Sequence, residues 1–286
     1  MSKKIERFGL FNTQNWILPL ILINFAAEMI SKNKIKAIRQ LDNKKHRRET
    51  GLFVAEGPKV VSDLIGAFPC VSVIATDPWL QAHPTLPPSV ETISVTEEEL
   101  RRVSFLQHPQ QVMGVFKTPV LTADTLSLRE KISQELCLAL DGVQDPGNLG
   151  TIIRIADWFG IETLVCSPDT ADAFSPKVIQ ATMGSIARVR VVYTDLVSLI
   201  DQLPTDTAIY GTVLDGTDIY HQKLGSRGLL VMGNEGNGIS SAVTSRLTHH
   251  LLIPHYPAER ETADSLNVAI ATAVACAEFR RRSSIH

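Results

Sequence analysis

Between Ile30 and Lys117 short apolar runs alternate with segments of helical period. "LFVAEG", "VSVIAT" and "QVMGVFK" read as strands. Among them lie a basic helical segment over 32–49, a helix from Pro58, and "TEEELRRV", where Thr96 and Glu99 have the spacing of a capping box. This pattern predicts a small α/β domain over residues 29–117. Residues 118–134 are polar, carry Pro119 and lack a long apolar run, which predicts a linker.

The rest, 135–286, repeats the alternation with fuller strands: "LCLALDGV", "TLVCSP", "VRVVYT", "AIYGTVL", "GLLVMGNE" and "HLLIPH". Helices are expected to start near Leu149, Pro176, Asp195 and Ile239, with Ser175 as an N-cap ahead of Pro176. Near-continuous apolar strands spaced by helices predict a parallel sheet covered on both faces. The last helix, in "DSLNVAIATAVACAEFRRR", is apolar almost all round from Val268 to Ala277. Such a helix needs cover on both sides, and a second copy of the chain is the simplest cover, so a homodimer is expected.

The first 28 residues stand apart. "WILPLILINFAA" follows Lys3, Lys4 and Arg7 like a signal peptide. It is broken by Pro19 and Asn24, is too short to span a bilayer, and lacks a suitable cleavage site. A dispensable, non-domain extension is the expectation, with no membrane partner.

At 286 residues, with 44% hydrophobic and 20% charged residues, the composition fits a soluble two-domain protein. Cys70, Cys137, Cys166 and Cys276 form no metal or redox spacing, which points to a reducing, cytoplasmic setting and no metal. The histidines of "HHLLIPH" alternate as in a strand, which argues against a metal cluster. The net charge of −2 conceals an asymmetry: residues 31–48 hold eight Lys/Arg against the single acid Asp42. So dense a stripe favours a polyanion, and Lys44, Lys45, Arg47 and Arg48 are the expected contacts to nucleic-acid phosphates.

Ligands of open parallel sheets bind beyond the carboxyl ends of the strands. There the chain has "QDPGNLG", "GNEGNG" and "PHYPAERETADSLN". In the first, Asp145 and Asn148 offer oxygen acceptors near Arg154, which lies off the apolar arc formed by Leu149, Ile152, Ile153, Ala156 and Phe159. A guanidinium there is a donor fork for phosphate or carboxylate. The spacing of "GNEGNG" and its place after the fifth strand do not match a dinucleotide fingerprint, which counts against an oxidoreductase. The loop does allow close backbone approach to a ligand.

"LDGVQDPGNLGTIIRIADWFG", "LLVMGNEGNGIS" and "LLIPHYPAERETADSLNVAIATAVACAEFRRR" resemble, in order and position, the three motifs of the SpoU (TrmH-type) RNA ribose 2′-O-methyltransferases of the SPOUT superfamily, over about residues 136–282. "GLFVAEGPKVV" resembles part of that family's smaller RNA-binding domain. The resemblance implies a deep trefoil knot, S-adenosylmethionine bound in it, a homodimer, and methylation of a ribose 2′-OH in transfer or ribosomal RNA. It places cofactor contacts at Gly233, Ile253 and Leu266, with Thr212 and Leu214 nearby, and catalytic roles at Asn148, Arg154, Glu235, Ser265 and Asn267. Arg154 would be either the base or a holder of phosphate and alkoxide. The 254–265 segment departs from the pattern, with "HYPAERETAD" where a methionine and a glycine are common. The alternative is a catalytically silent RNA-binding protein of the same fold.

Overall fold

A computed structural model describes residues 30–119, 121, 124–257, 259, 263 and 265–283. The amino-terminal 28 residues, expected to be an extension, lie outside the described residues, as does part of the 254–265 segment.

The first half begins with α1 (Lys32–Arg39), a 3-10 turn at Gln40–Asp42 and α2 (Lys44–Thr50). The single basic helix expected here is therefore two. Asn43 ends the turn in an extended conformation and caps α2, its Oδ1 accepting from Lys45 N at 2.8 Å. There follow β1 (Leu52–Glu56), α3 (Pro58–Ile65), β2 (Cys70–Ala75), α4 (Asp77–Ala82), β3 (Glu91–Ser94), α5 (Glu97–Val103) and β4 (Val112–Lys117). The sheet runs β1-β4-β2-β3, with only β2 and β3 parallel. The Thr96–Glu99 capping box forms at the start of α5.

Residues 125–134, expected to be linker, are helical: α6 (Thr125–Gln134), capped by Asp124, buries Leu128 and Ile132 against the second sheet. That sheet comes from β5 (Leu136–Asp141), α7 (Pro146–Trp158), β6 (Thr163–Cys166), α8 (Pro176–Thr182), β7 (Arg190–Tyr193), α9 (Leu196–Ile200), β8 (Ile209–Asp218), β9 (Gly228–Gly233), α10 (Ser241–Thr244), β10 (His249–Leu252) and α11 (Val268–Ser283). Its order is β10-β8-β9-β5-β6-β7 and every pairing is parallel, as the apolar runs predict. The central strands β5 and β9 are buried along nearly their whole length, which demands helices on both faces.

The two halves share one core. Phe174, from the loop after β6, lies 4.8 Å from the Phe53 ring of β1 and 6.0 Å from Phe68, both edge-on. Arg47 of α2 reaches Asp172 of the same loop at 2.6 Å, and Arg188 lies between Asp157 of α7 at 2.7 Å and Asp63 of α3 at 3.9 Å. The domains are thereby docked with a fixed relation between the basic segment and the carboxyl end of the second sheet. Among the described residues no helix is long and apolar enough to cross a membrane.

Candidate active site

The first loop leaves β5 at Asp141 and turns at Gly142, whose φ of 72° favours glycine. Its turn is held from two sides: Gly142 N donates to Ser167 Oγ at 2.9 Å, and Asn234 Nδ2 donates to Gly142 O at 2.7 Å. Asp145 then caps α7, accepting from Asn148 N at 2.8 Å, with Pro146 at the first helical position. So α7 starts earlier than the apolar period suggested, and Asp145 serves the helix end instead of Arg154. Leu149, Ile152, Ile153 and Ala156 are buried, and Arg154 is exposed on another face. Among the described residues no hydrogen bond or ion pair engages Arg154.

The second loop closes on itself. Asn234 and Gly238 exchange two backbone hydrogen bonds of 2.9 Å, while Asn234 Oδ1 accepts from Gly236 N and Asn237 N at 2.9 and 3.0 Å. A Cβ at Gly233 would lie 2.2 Å from the Gly238 carbonyl carbon, so only glycine permits the closure. The loop is tied to the first by Ser240 N, which donates to Asp141 Oδ2 at 2.7 Å. This geometry holds up Glu235, half-buried, on a rigid base.

The third loop runs from β10 to α11, where Asn267 Oδ1 accepts from Ala269 N at 3.0 Å and Ile270 N at 3.2 Å. That bond fixes the polarity of everything next to it. With its oxygen committed to the helix end, Asn267 must donate through Nδ2, and it does so to Asn148 Oδ1 at 2.9 Å. Asn148 in turn must donate through its own Nδ2, which meets Glu235 Oε1 at 2.6 Å. One directed chain, helix end to Asn267 to Asn148 to a carboxylate, joins all three loops.

The other residues named for cofactor binding share this end of the sheet. Strand β8 pairs His249↔Tyr210 and His250↔Gly211 and then resumes at Leu251↔Thr217, so residues 212–216 form an excursion. Thr212 stands in it beside Met232, Oγ1 to Sδ 3.7 Å, and Leu214 is 76% exposed. Ile253 is half-buried; Ser265 and Leu266 are exposed. The structure joins Asn148, Glu235 and Asn267 by direct contacts; among the described residues no hydrogen bond or ion pair joins Arg154, Thr212, Leu214, Ile253, Ser265 or Leu266 to them. Glycine-limited closure at Gly233 and apolar Leu214 and Leu266 left open on the excursion and the third loop suit a flat heterocycle lying against backbone.

One expected RNA contact is corrected. Arg47 is buried, its Nη1 donating to Leu41 O and Asp42 O at 2.7 Å each, and its Nε and Nη2 donating to Asp172 Oδ2. Four of its five N–H donors are spent in these bonds, and its burial keeps the guanidinium from a phosphate. Lys44, Lys45 and Arg48 are exposed. One residue with an evident structural role was not singled out from sequence: Asn234, which clamps Gly142. Asn234 follows a buried strand inside a glycine-rich run, a setting where an Asx turn is the ordinary use of asparagine. Among the described residues no cluster of three or more His, Cys, Asp or Glu is placed to hold a metal ion.

The model of the SpoU rRNA methylase family matches residues 135–277, the span that carries all three loops. The chain belongs to this family. A second model, the MRM3-like substrate binding domain, matches residues 32–114. The 23S rRNA (guanosine(2553)-2′-O)-methyltransferase RlmP of Bacillus subtilis is 32% identical over 86% of this chain and 96% of its own. The solved structure of a TrmH-family protein from Porphyromonas gingivalis superposes with a TM-score of 0.79 at 38% identity, covering 89% of this chain and 99% of that one. An AdoMet-bound rRNA methyltransferase from Sinorhizobium meliloti gives 0.77 at 31%, covering 88% and 96%.

Proposed function

We propose that this SpoU-family chain transfers a methyl group from S-adenosylmethionine to a ribose 2′-OH in structured RNA, ribosomal or transfer. The observation that carries the reading is the directed chain Asn267–Asn148–Glu235, because it makes one rigid unit of three loops distant in sequence. Support comes from the Bacillus relative, named for 2′-O methylation of a 23S rRNA guanosine, and from the Sinorhizobium structure, solved with AdoMet.

Bound S-adenosylmethionine supplies an activated methyl carbon. The protein's share is orientation and charge. Gly233, Ile253 and Leu266, with Thr212 and Leu214 of the β8 excursion, hold the cofactor; Asn148, Glu235, Ser265 and Asn267 fix the geometry of an in-line approach. A guanidinium is a donor only, with a planar fork that fits phosphate oxygens, so Arg154 acts by holding the phosphate beside the target ribose and stabilising negative charge on the attacking oxygen as its proton passes to solvent water. Its exposure, with no partner among the described residues, leaves it available for this.

The deep trefoil knot, the homodimer and a cytoplasmic setting belong to the same proposal. After β10 is laid at the sheet edge, α11 returns to pack on α7 and β9, a return that supports the knotted reading. Its outward stripe of Ile270, Ala273, Val274 and Ala277 is apolar, and Trp158 of α7 is 85% exposed, which suits a second copy. The first domain contributes Lys44, Lys45 and Arg48 as RNA contacts.

The test uses tritiated S-adenosylmethionine with ribosomal and transfer RNA from cells lacking the protein, followed by mapping of 2′-O-methyl positions. One or a few alkali-resistant linkages are expected. Methyl transfer to a base, or RNA binding without transfer, would reject the proposal, the latter in favour of a silent binding protein.

A further inference from the structure

Between the domains lies a half-open groove of about 360 Å³, separate from the three motif loops. Its walls are apolar and aromatic: Pro168, Phe174 and Tyr193. Its rim is cationic, from Lys44 and Arg48 of α2, neither of which has a carboxylate within 4 Å among the described residues. The one acid lining it, Asp172, is neutralised by Arg47. Thr118 also lines it, and its hydroxyl oxygen is buried with no hydrogen-bond partner among the described residues. A buried hydroxyl without a partner is costly, and a ligand edge placed in the groove would supply one.

The walls are rigid. Tyr193 OH donates to Ala171 O and accepts from Ala173 N at 2.9 Å, which locks its ring, and Phe174 is held among Phe53 and Phe68. Burial raises the tyrosine's pKa above its ordinary value, so the wall stays neutral and the rim alone sets the charge. Pro168 and Tyr193 follow or end β6 and β7, so the groove opens on the same end of the sheet as the motif loops. From β5 to β7 is two strand spacings, about 10 Å.

We propose that the groove takes one unstacked base of the RNA substrate, with its flanking phosphates on Lys44 and Arg48, a few nucleotides from the methylated ribose. The inference rests on the RNA methyltransferase reading above. An aromatic-walled slot suits a base face, the cations on its rim suit the backbone to either side, and Thr118 meets a base edge. Because the rim belongs to one domain and the walls to the other, a seated base ties substrate capture to the docked arrangement.

The experiment uses transcribed 23S ribosomal RNA and bulk transfer RNA, each containing 4-thiouridine, irradiated with the full-length protein. Crosslinks are expected on the peptides bearing Phe174 or Tyr193, and they identify the seated nucleotide. A synthetic RNA with an abasic site there should bind wild type about tenfold or more weakly, as for loss of one stacked base. Thr194 also lines the groove, and Thr194→Trp, which fills it, should weaken binding of intact RNA similarly and remove the abasic penalty, with S-adenosylmethionine affinity unchanged. Should that variant fail to fold, Thr118→Val replaces it, with a smaller loss of RNA affinity expected. An abasic site that costs nothing in wild type, or equally in wild type and variant, overturns the proposal. So does a loss of binding confined to Lys44→Ala/Arg48→Ala, since the phosphates would then bind outside any base site. Failure of wild type to methylate either RNA would sink the parent reading, and this inference with it.

Discussion

The side-chain amide of Asn148 donates to Glu235 at 2.6 Å, across 87 residues of sequence, and its direction is imposed by the end of α11 through Asn267. Asn148→Ala leaves Glu235 and Asn267 without their partner, and a misplacement of 1 Å in such a site costs about 100-fold in rate. Asn148→Asp is expected to be worse, because it sets two carboxylates against each other. Adding Glu235→Gln restores one donor and one acceptor and should recover at least tenfold of the turnover lost in Asn148→Asp. Single-turnover methyl transfer measures both steps. No recovery would mean that the Glu235 charge acts on the reaction itself.

Arg47 and its neighbours should separate by assay. Arg47→Ala removes one member of a buried pair that docks the domains, and is expected to destabilise the protein by about 3–5 kcal/mol in denaturant unfolding. Lys44→Ala/Arg48→Ala should leave stability within about 0.5 kcal/mol, as for surface substitutions, and flatten the salt dependence of RNA binding by about 0.7–0.9 log units per lost phosphate contact. Equal stability in both variants would deny the Arg47–Asp172 pair its docking role.

How much of this was legible follows from what each signal measures. Strands β5, β6 and β9 of the second sheet stand out because strands buried on both faces are apolar almost throughout, and the first-domain capping box announces itself by spacing alone. Helix α6 does not: "TLSLREKISQ" buries only Leu128 and Ile132, too few apolar positions to separate a helix from a polar linker. In α2 the charge run hides Arg47, although a seven-residue helix reading "KKHRRET" has no apolar side chain to bury and must turn one charged stem inward. The motif residues could be named from resemblance, but the bonds from Asn148 to residues 87 and 119 positions away are facts of the fold.

The outward stripe of α11 gives a third prediction. Ile270 is 54% exposed there, and Ile270→Glu places a charge where a second copy would sit. Wild type is expected to sediment as a dimer at micromolar concentration and the variant as a monomer. A monomeric wild type would remove the dimer from the proposal.

Stability should also depend on acid at the same helix. Arg281 and Arg282 each donate to the buried Glu278 carboxylate, and these bonds, Arg281's first, hold its pKa down to about 2 from an ordinary 4.5. A carboxyl depressed on folding contributes stability that is fully present above its unfolded value and is lost as pH falls through its folded value. The wild-type melting temperature should therefore drop more steeply than that of Glu278→Gln between pH 4.5 and 2, the two curves converging near the lower limit. Parallel curves over that window would show that the pair gives no net stability.

Arg154 offers the sharpest division between cofactor and substrate. It projects from α7 away from the buried arc, while the residues proposed to hold S-adenosylmethionine come from the β8 excursion and the loops after β9 and β10. Arg154→Ala should leave cofactor affinity, read by calorimetry, within about twofold, since 0.5 kcal/mol is the scale of a side chain that does not touch the ligand. Its methyl-transfer rate should fall by about 100-fold or more, as for loss of a donor to developing negative charge. Arg154→Lys separates the two roles. Lysine loses a proton readily when desolvated but has no bidentate fork, so a base would survive the change with activity rising with pH. A phosphate holder would not: the expected result is a variant nearly as slow as Arg154→Ala, with weaker RNA binding and a flat pH profile. Wild-type turnover in Arg154→Ala would remove the residue from the site altogether.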